Sequence, residues 1–242
     1  MFRGIGTVIN IVTILLGTAV GVSLGSRLPE RTRNVITDVL GLITAVVAIS
    51  AGSAVASPAL KKAVGSGALL IMLGALLIGG IIGSLLRLED RLNNIGETLK
   101  SKFGNQENGN FVEGFVTASL IFVVGPLAIL ASVSDGLGNG IDQLLLKSTL
   151  DFFASMAFAA SLGWGVAASA IVVGLYQGAW TLLGWLLGNV MSDFEIAAMT
   201  ATGGLMLAGI SLRLLKIRHV PIGDLLPALA IAPLLALLVS KF

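Results

Sequence analysis

The number of membrane crossings in this chain depends on residues 144–188, which read LLLKSTLDFFASMAFAASLGWGVAASAIVVGLYQGAWTLLGWLLG. The stretch is far longer than the ~20 residues that span a hydrocarbon core. Its one break signal is Gly163-Trp164-Gly165, because closely spaced glycines favour turns. The stretch therefore forms one long helix, two helices that each cross the membrane, or a pair that re-enters near Gly163.

The composition predicts a membrane protein. Of the 242 residues, 55% are hydrophobic and 12% are charged, whereas about a quarter of the residues of a soluble protein are charged. Apolar runs recur from end to end, so the lipid bilayer is the main partner of the chain. The net charge is only +2 and the basic residues are spread over separate loops, so we expect no nucleic-acid partner.

We expect an all-α, polytopic transmembrane bundle that forms a single membrane domain over residues 1–242. Eight segments each approach the ~20 residues needed for a crossing. They are residues 5–26, 35–51, 66–87, 110–132, 144–162, 165–188, 195–213 and 221–240.

The charges of the loops favour two crossings within residues 144–188. Three loops are basic, namely Arg27–Arg33, Arg87–Lys102 and Arg213–Arg218. They lie on one side of the membrane only if residues 144–188 cross it twice. By the positive-inside rule that side is the cytoplasm, which places both termini outside the bacterial cytoplasmic (inner) membrane.

The chain also matches itself at an offset of 163 residues. Within residues 21–45 there are more identical pairs at this offset than so apolar a composition gives by chance: Gly21/Gly184, Leu24/Leu187, Gly25/Gly188, Thr37/Thr200, Gly41/Gly204, Leu42/Leu205 and Ala45/Ala208. The repeat-like halves, about 5–51 and 165–213, are five crossings apart and therefore antiparallel. Inverted repeats of this kind are typical of secondary transporters.

Residues 87–103 are predicted to form an amphipathic helix on the cytoplasmic surface. Apolar residues recur there every three or four positions, and charged residues fill most of the other positions. This pattern is typical of a helix that lies in the membrane interface. The alternative is a solvated extension of the third transmembrane helix.

Glycines four residues apart predict close helix packing, because small residues let helix backbones approach in lipid. They occur at Gly17/Gly21/Gly25, Gly79/Gly83 and Gly184/Gly188. These glycines serve packing within one chain, a sliding surface or the interface of a homo-oligomer, and the sequence leaves these alternatives open.

Ionisable side chains within a span are costly in lipid, so each is a candidate ligand for an ion or substrate. Asp151 is the strongest candidate, with Lys147 four residues before it and Ser155 one turn after it on the same helical face. The alternative is a structural ion pair. Glu113 and Thr117 lie early in the fourth helix, and for Glu113 the alternative is an acidic residue favoured at a helix N-terminus.

Backbone groups at broken helices are further candidates. Gly125-Pro126 interrupts the fourth helix near its middle, since proline removes a backbone donor. In the seventh helix Thr200 and Thr202 precede Gly203-Gly204, where we expect the helix to unwind and expose carbonyl groups to an ion. The alternative is that these small residues pack against a neighbouring helix.

The remaining polar residues disfavour an enzyme. The chain has one histidine and no cysteine, and it lacks the GxSxG, phosphate-loop and HExxH motifs. We therefore expect no catalytic residue and no cofactor, while a metal site stays undecided. Asn10 and Gln177, single amides in mid-helix, are predicted to form hydrogen bonds between helices rather than to bind a ligand.

Four runs carry a resemblance to a known family: FVEGFVTASL (111–120), VGPLAI (124–129), KSTLDFFASMAF (147–158) and EIAAMTATGG (195–204). Through them the whole chain resembles the bacterial inner-membrane proteins of the YdfK/YqgA type, grouped as domain of unknown function 554. The resemblance implies a polytopic membrane protein without an assigned substrate, and its motifs contain the candidate residues named above.

These observations predict a secondary transporter or channel for a small ion or polar solute. Its site would lie near mid-membrane, among Asp151, Ser155, Thr117, Thr200 and Thr202. Carboxylates outnumber cations among the buried candidates, which favours a cation or a proton-coupled solute. The alternative is a non-transporting scaffold or accessory subunit that binds partners through its glycine faces and residues 87–103.

Overall fold

The computed structural model describes residues 2–103, 110–187 and 191–241, and over these residues the chain is helical and contains no strand. The helices are α1 (Ile5–Gly25), α2 (Glu30–Gly52), α3 (Pro58–Val64), α4 (Ala68–Leu85), α5 (Leu88–Phe103), α6 (Phe111–Val124), α7 (Pro126–Leu137), α8 (Asp142–Leu162), α9 (Gly165–Leu187), α10 (Asp193–Leu214), α11 (Ile222–Leu225) and α12 (Pro227–Val239). Short 3₁₀ turns at Ser53–Ala56 and Gly65–Gly67 flank α3. The predicted all-α class is confirmed.

The described helices account for the predicted crossings. Seven described stretches are long and apolar enough to span a membrane, and the count is eight if the bent pair α6–α7 is one span. The third candidate span starts earlier than predicted, at Pro58, because it includes α3 and the 3₁₀ turn Gly65–Gly67 before α4. Gly163 has a φ of +77° and ends α8, a conformation that glycine adopts without steric cost. Residues 144–187 therefore form two helices rather than one.

The chain, predicted as one membrane domain, divides into two compact units. Unit 1 comprises Met1–Leu40, Leu92–Val123 and Leu127–Val190. Unit 2 comprises Gly41–Arg91, Val124–Pro126 and Met191–Phe242. Two of the boundaries, after Leu40 and after Arg91, fall inside α2 and α5.

In unit 1, α1 packs along α8 through small residues. A Cβ atom on Gly21 would lie 2.2 Å from the carbonyl oxygen of Met156, and one on Gly6 would lie 2.4 Å from the Leu144 side chain. Only glycine permits such an approach of the two backbones. Residue numbers rise together along both helices, so α1 and α8 are parallel.

Helix α9 runs beside α1 in the opposite direction. Asn10 is hydrogen-bonded to Gln177, and the Arg3 guanidinium carbon lies 5.8 Å from the ring centroid of Trp185. Residue numbers fall along α9 as they rise along α1. The two helices are therefore antiparallel, as predicted for the first and sixth crossings.

The pair α6–α7 is bent by 62° but extends along the whole of α8. At one end, the Phe111 carbonyl oxygen would be 1.9 Å from a Cβ atom on Gly165, just beyond the end of α8. At the other end, the Asp135 carboxylate accepts hydrogen bonds from the backbone N–H groups of Gly4 (3.1 Å) and Gly6 (3.2 Å), near the start of α8. These contacts at both ends of α8 favour a broken span over a re-entrant loop.

In unit 2, α4 packs against α11 and α12 in antiparallel fashion. A Cβ atom on Gly79 would lie 2.5 Å from the Ala228 nitrogen, and one on Gly83 would lie 1.9 Å from the Asp224 oxygen. The apolar core between these helices, α3 and α10 consists of Leu60, Val64, Ala68, Ile71, Ala75, Ala197, Ala198, Ala228, Ala232 and Ala236. Its many small residues allow close packing of the helices.

The predicted amphipathic helix is α5, and it is separate from α4. Arg87 has a φ of +51°, which ends the preceding helix because the left-handed conformation does not continue it. Helix α5 is therefore not a straight extension of the third span. At its start the buried Glu89 carboxylate accepts hydrogen bonds from Arg213 Nη1 (2.9 Å) and from the Gly223 backbone N–H (2.7 Å), which ties α5 to α10 and α11.

Candidate functional site

A buried ion pair forms the centre of unit 1. Lys147 Nζ lies 2.5 Å from Asp151 Oδ2, and less than a tenth of either side chain is exposed. The two residues are one turn apart on α8. The same Asp151 oxygen accepts a hydrogen bond of 2.9 Å from Asn10 Nδ2 on α1. The carboxylate is therefore held by two helices.

A second amide extends this arrangement to α9. Asn10 Nδ2 also donates to Gln177 Oε1 at 3.2 Å, so Asn10, Lys147, Asp151 and Gln177 form one connected group, hereafter the polar cluster. Helix α6 contributes the Phe122 ring, whose centroid is 5.8 Å from Lys147 Nζ, within range of a cation–π interaction. Parts of four helices thus surround the ion pair.

The polar cluster is electrically balanced. It contains one ammonium group and one carboxylate, so the predicted excess of carboxylates is absent from it. Each charge is costly to remove from water, and their attraction offsets that cost only while both partners are present. The pair is compatible both with a structural ion pair and with a binding site, so the role of Lys147 and Asp151 stays a prediction.

The polar cluster leaves two hydrogen-bonding atoms unpaired. Asn10 Oδ1 and Gln177 Nε2 have no hydrogen-bond partner, and both residues are fully buried. An unsatisfied buried polar atom costs about 1–3 kcal/mol. The cluster therefore offers one acceptor and one donor to a small molecule that reaches it.

Among the described residues, the other candidates in unit 1 form no side-chain hydrogen bond to the polar cluster. Ser155 is buried on α8 and its Oγ donates to the Phe152 carbonyl at 2.9 Å. Thr117 is buried in α6 and its hydroxyl is unpaired. Glu113 lies in the first turn of the same helix and is partly exposed, which agrees with the helix-terminus alternative.

The predicted break at Gly203-Gly204 is wrong. Helix α10 in unit 2 continues through both glycines, and the hydroxyls of Thr200 and Thr202 donate to carbonyls of their own helix. The glycines serve packing instead, because a Cβ atom on Gly204 would lie 2.3 Å from the Gly52 nitrogen. No carbonyl is therefore freed here for an ion by unwinding of the helix.

The predicted break at Gly125-Pro126 is present. The bend between α6 and α7 falls at these residues. Its cause is the missing donor of proline, which interrupts the helical hydrogen-bond ladder. Whether the carbonyls beside the bend bind an ion stays a prediction.

Asn10 and Gln177 belong to the polar cluster, although the sequence predicts them only as interhelical hydrogen-bonding residues. They do form a hydrogen bond between α1 and α9. Their link to Asp151 depends on which faces of α1, α8 and α9 meet. The available signal was a single amide in the middle of each of two apolar helices.

Among the residues that the structure describes, no group of three or more His, Cys, Asp or Glu side chains is placed to hold a metal ion. The polar cluster, with its one carboxylate and two amides, is suited to hydrogen bonding rather than to a multidentate metal site.

Comparison with known proteins adds the family to this geometry. A family model described as "Protein of unknown function (DUF554)" matches residues 5–237. The chain is 27% identical over 237 residues to the uncharacterized membrane protein YdfK of Bacillus subtilis, covering 98% of this chain and 97% of that one. It is 30% identical over 235 residues to the uncharacterized protein YqgA of Escherichia coli, covering 94% of each. No solved structure matches the chain.

Proposed function

We propose that this chain, which belongs to the DUF554 family, is a secondary transporter or channel for a small ion or polar solute across the bacterial cytoplasmic membrane. The chain is a multi-pass membrane protein. The observation that carries the proposal is the polar cluster. Its ion pair and two half-satisfied amides lie inside apolar helices, where such groups are costly and commonly mark a pathway. Packing alone would be served better by apolar residues.

Reciprocal contacts in unit 2 support an inverted repeat as part of this proposal. Gly41 O accepts a hydrogen bond of 2.7 Å from Ser211 Oγ, and a Cβ atom on Gly204 would lie 2.9 Å from Ala48 O. At the offset of 163 residues, Gly204 corresponds to Gly41 and Ser211 corresponds to Ala48. These two contacts correspond to each other under the offset, which is compatible with a two-fold axis in the membrane plane.

An inverted repeat is useful for transport because its halves can exchange conformations around a fixed site. The antiparallel pairs α1/α9 and α2/α10 follow the order that the repeat predicts. The contacts between α1 and α9 lie in unit 1, and those between Gly41–Gly52 of α2 and α10 lie in unit 2.

The scaffold alternative loses part of its support. It relied on glycine faces as docking surfaces, but Gly17, Gly21 and Gly25 abut α8, while Gly79 and Gly83 abut α11 and α12. Backbone already covers these faces within the chain. Gly188 lies outside the described residues.

The test is uptake by proteoliposomes of radiolabelled sodium, rubidium, urea and glycerol. We expect Asp151→Asn to lower the uptake seen with the wild-type chain at least about tenfold, because it leaves the buried Lys147 charge uncompensated. Asp142→Asn, the matched change at an exposed residue of the same helix, leaves uptake unchanged.

Size-exclusion elution and thermal unfolding in detergent show whether the variants are folded. Uptake by folded Asp151→Asn at the wild-type rate removes Asp151 from the site. No uptake of any of these probes by the wild-type chain contradicts the transport proposal and favours the scaffold.

A further inference from the structure

We infer that unit 1 conducts a small uncharged polar solute along a file of unpaired hydroxyl and amide groups. This inference rests on the proposed transport function and names the class of solute. It depends on three features, namely the number of unpaired groups, their distribution along the crossing and the charge balance of the polar cluster.

Unpaired polar atoms are concentrated in unit 1. Over the part of the chain that the structure describes, every fully enclosed side-chain nitrogen or oxygen without a hydrogen-bond partner belongs to this unit. These atoms are in Thr7, Asn10, Thr18, Thr117, Ser119, Ser148, Gln177 and Thr181. Each residue is at most 7% exposed. Native interiors hold few such atoms unless water or a ligand satisfies them.

The contrast with unit 2 shows that these hydroxyls are unusual. Thr200 and Thr202 in α10 donate to carbonyls one turn earlier in their own helix, at 2.7 and 2.9 Å. This is the common solution for a threonine in an apolar helix. Thr7, Thr18 and Thr181 do not use it, so their hydroxyls are free to bind a passing molecule.

The unpaired groups are spread along the crossing. Thr7 is next to Gly6, which contacts the start of α8, and Thr181 is one turn from Trp185, which contacts Arg3 at the same end. Thr7 and Thr18 are eleven positions apart, about 16 Å along a helix. The amides of the polar cluster lie between these levels.

Helix α6 extends the file towards the other end of the unit. Thr117 is one turn from Gly114, whose Cβ atom would lie 3.1 Å from Leu162 O at the end of α8. Ser119 lies one turn before Phe122, which contacts Lys147. Unpaired groups therefore occur near both ends of α8 and at the ion pair between them.

The charge balance of the polar cluster selects against ions. Lys147 and Asp151 neutralise each other, so an additional charge of either sign would be uncompensated in the membrane interior, where it is strongly disfavoured. A neutral molecule meets no such cost. Hydroxyls and amides both donate and accept, which suits solutes such as water, urea or a small polyol.

The experiment measures permeability of proteoliposomes that contain the full-length chain. Stopped-flow light scattering follows water, urea and glycerol, and radiolabelled sodium, rubidium and chloride report ions. We expect the chain to raise the permeability to at least one neutral probe about tenfold or more above that of empty liposomes, with ion flux at background, because pore-lining groups set selectivity.

Two variants locate the path. Gln177→Leu removes the unpaired donor beside the ion pair, and Thr181→Val replaces an unpaired hydroxyl with a methyl group of the same size. Both should lower the neutral flux. Thr149→Val is the matched control, because Thr149 is exposed on α8 and its hydroxyl donates to the Leu145 carbonyl.

The outcomes distinguish the inference about the solute class from the proposed transport function. Ion flux without neutral flux overturns the inference about solute class but leaves the transport function standing. No flux of any probe overturns both. Neutral flux that folded Gln177→Leu and Thr181→Val leave unchanged overturns the path through unit 1.

Discussion

The pairing of Lys147 with Asp151 shows how one residue's role depends on its surroundings. Lys–Asp at this spacing, with the cation first, is the less favourable order for an isolated helix. The two charges lie 2.5 Å apart, both side chains are buried, and Asn10 of α1 donates to the same carboxylate oxygen. Burial by neighbouring helices, which an isolated helix lacks, strengthens the attraction between the charges.

A double-mutant cycle tests this dependence. We expect Lys147→Met or Asp151→Asn alone to lower the free energy of unfolding by about 3–5 kcal/mol, since each leaves one buried charge unpaired. The double variant should cost much less than the sum of the two, as measured by urea unfolding in detergent. Additive costs would mean that the two charges do not interact in the folded protein.

At the scale of helices, close approach between backbones determines which faces meet. The glycines of α1 place its backbone against that of α8, and this contact brings Asn10 to Asp151. In α10 the same need for close approach, against Gly52 and Val124, explains why Gly203 and Gly204 stay helical. The sequence shows only that small residues are present, and small residues suit both a break and a tight crossing.

Replacing one interface glycine tests the packing of α1 on α8. Gly21→Ala adds a methyl group 2.2 Å from the Met156 carbonyl oxygen, and we expect it to lower the free energy of unfolding by about 1–3 kcal/mol. Gly178→Ala is the control, because nothing lies within 4 Å of its added methyl group. That change should stabilise α9 by up to about 1 kcal/mol. Equal effects of both variants on thermal unfolding in detergent would contradict the close contact.

At the scale of the whole molecule, the directions of α1 and α8 limit the number of crossings between them. The parallel arrangement of α1 and α8 requires an odd number of crossings between them, and α2, α3–α4 and α6–α7 supply three. A re-entrant α6–α7 would have made α1 and α8 antiparallel. The parallel direction of α1 and α8 therefore favours a crossing by the bent pair.

Cysteine labelling tests the proposed orientation, because the chain contains no cysteine of its own. We expect a membrane-impermeant maleimide to label Asn139→Cys in intact spheroplasts, since the loop after α7 is predicted to be outside. Glu97→Cys on α5 should react only after lysis. The reverse pattern contradicts the orientation alone, whereas labelling of both sites in intact spheroplasts contradicts the crossing of α6–α7.

The sequence by itself determined the membrane class and the approximate positions of the long apolar helices, because apolar length is a local property of the chain. Only the tertiary structure decided which polar side chains meet. The hydrogen bonds from Asn10 join residues 141 and 167 positions away, and their formation depends on how closely three backbones approach. That approach is a property of helix pairs, which no single segment of the sequence contains.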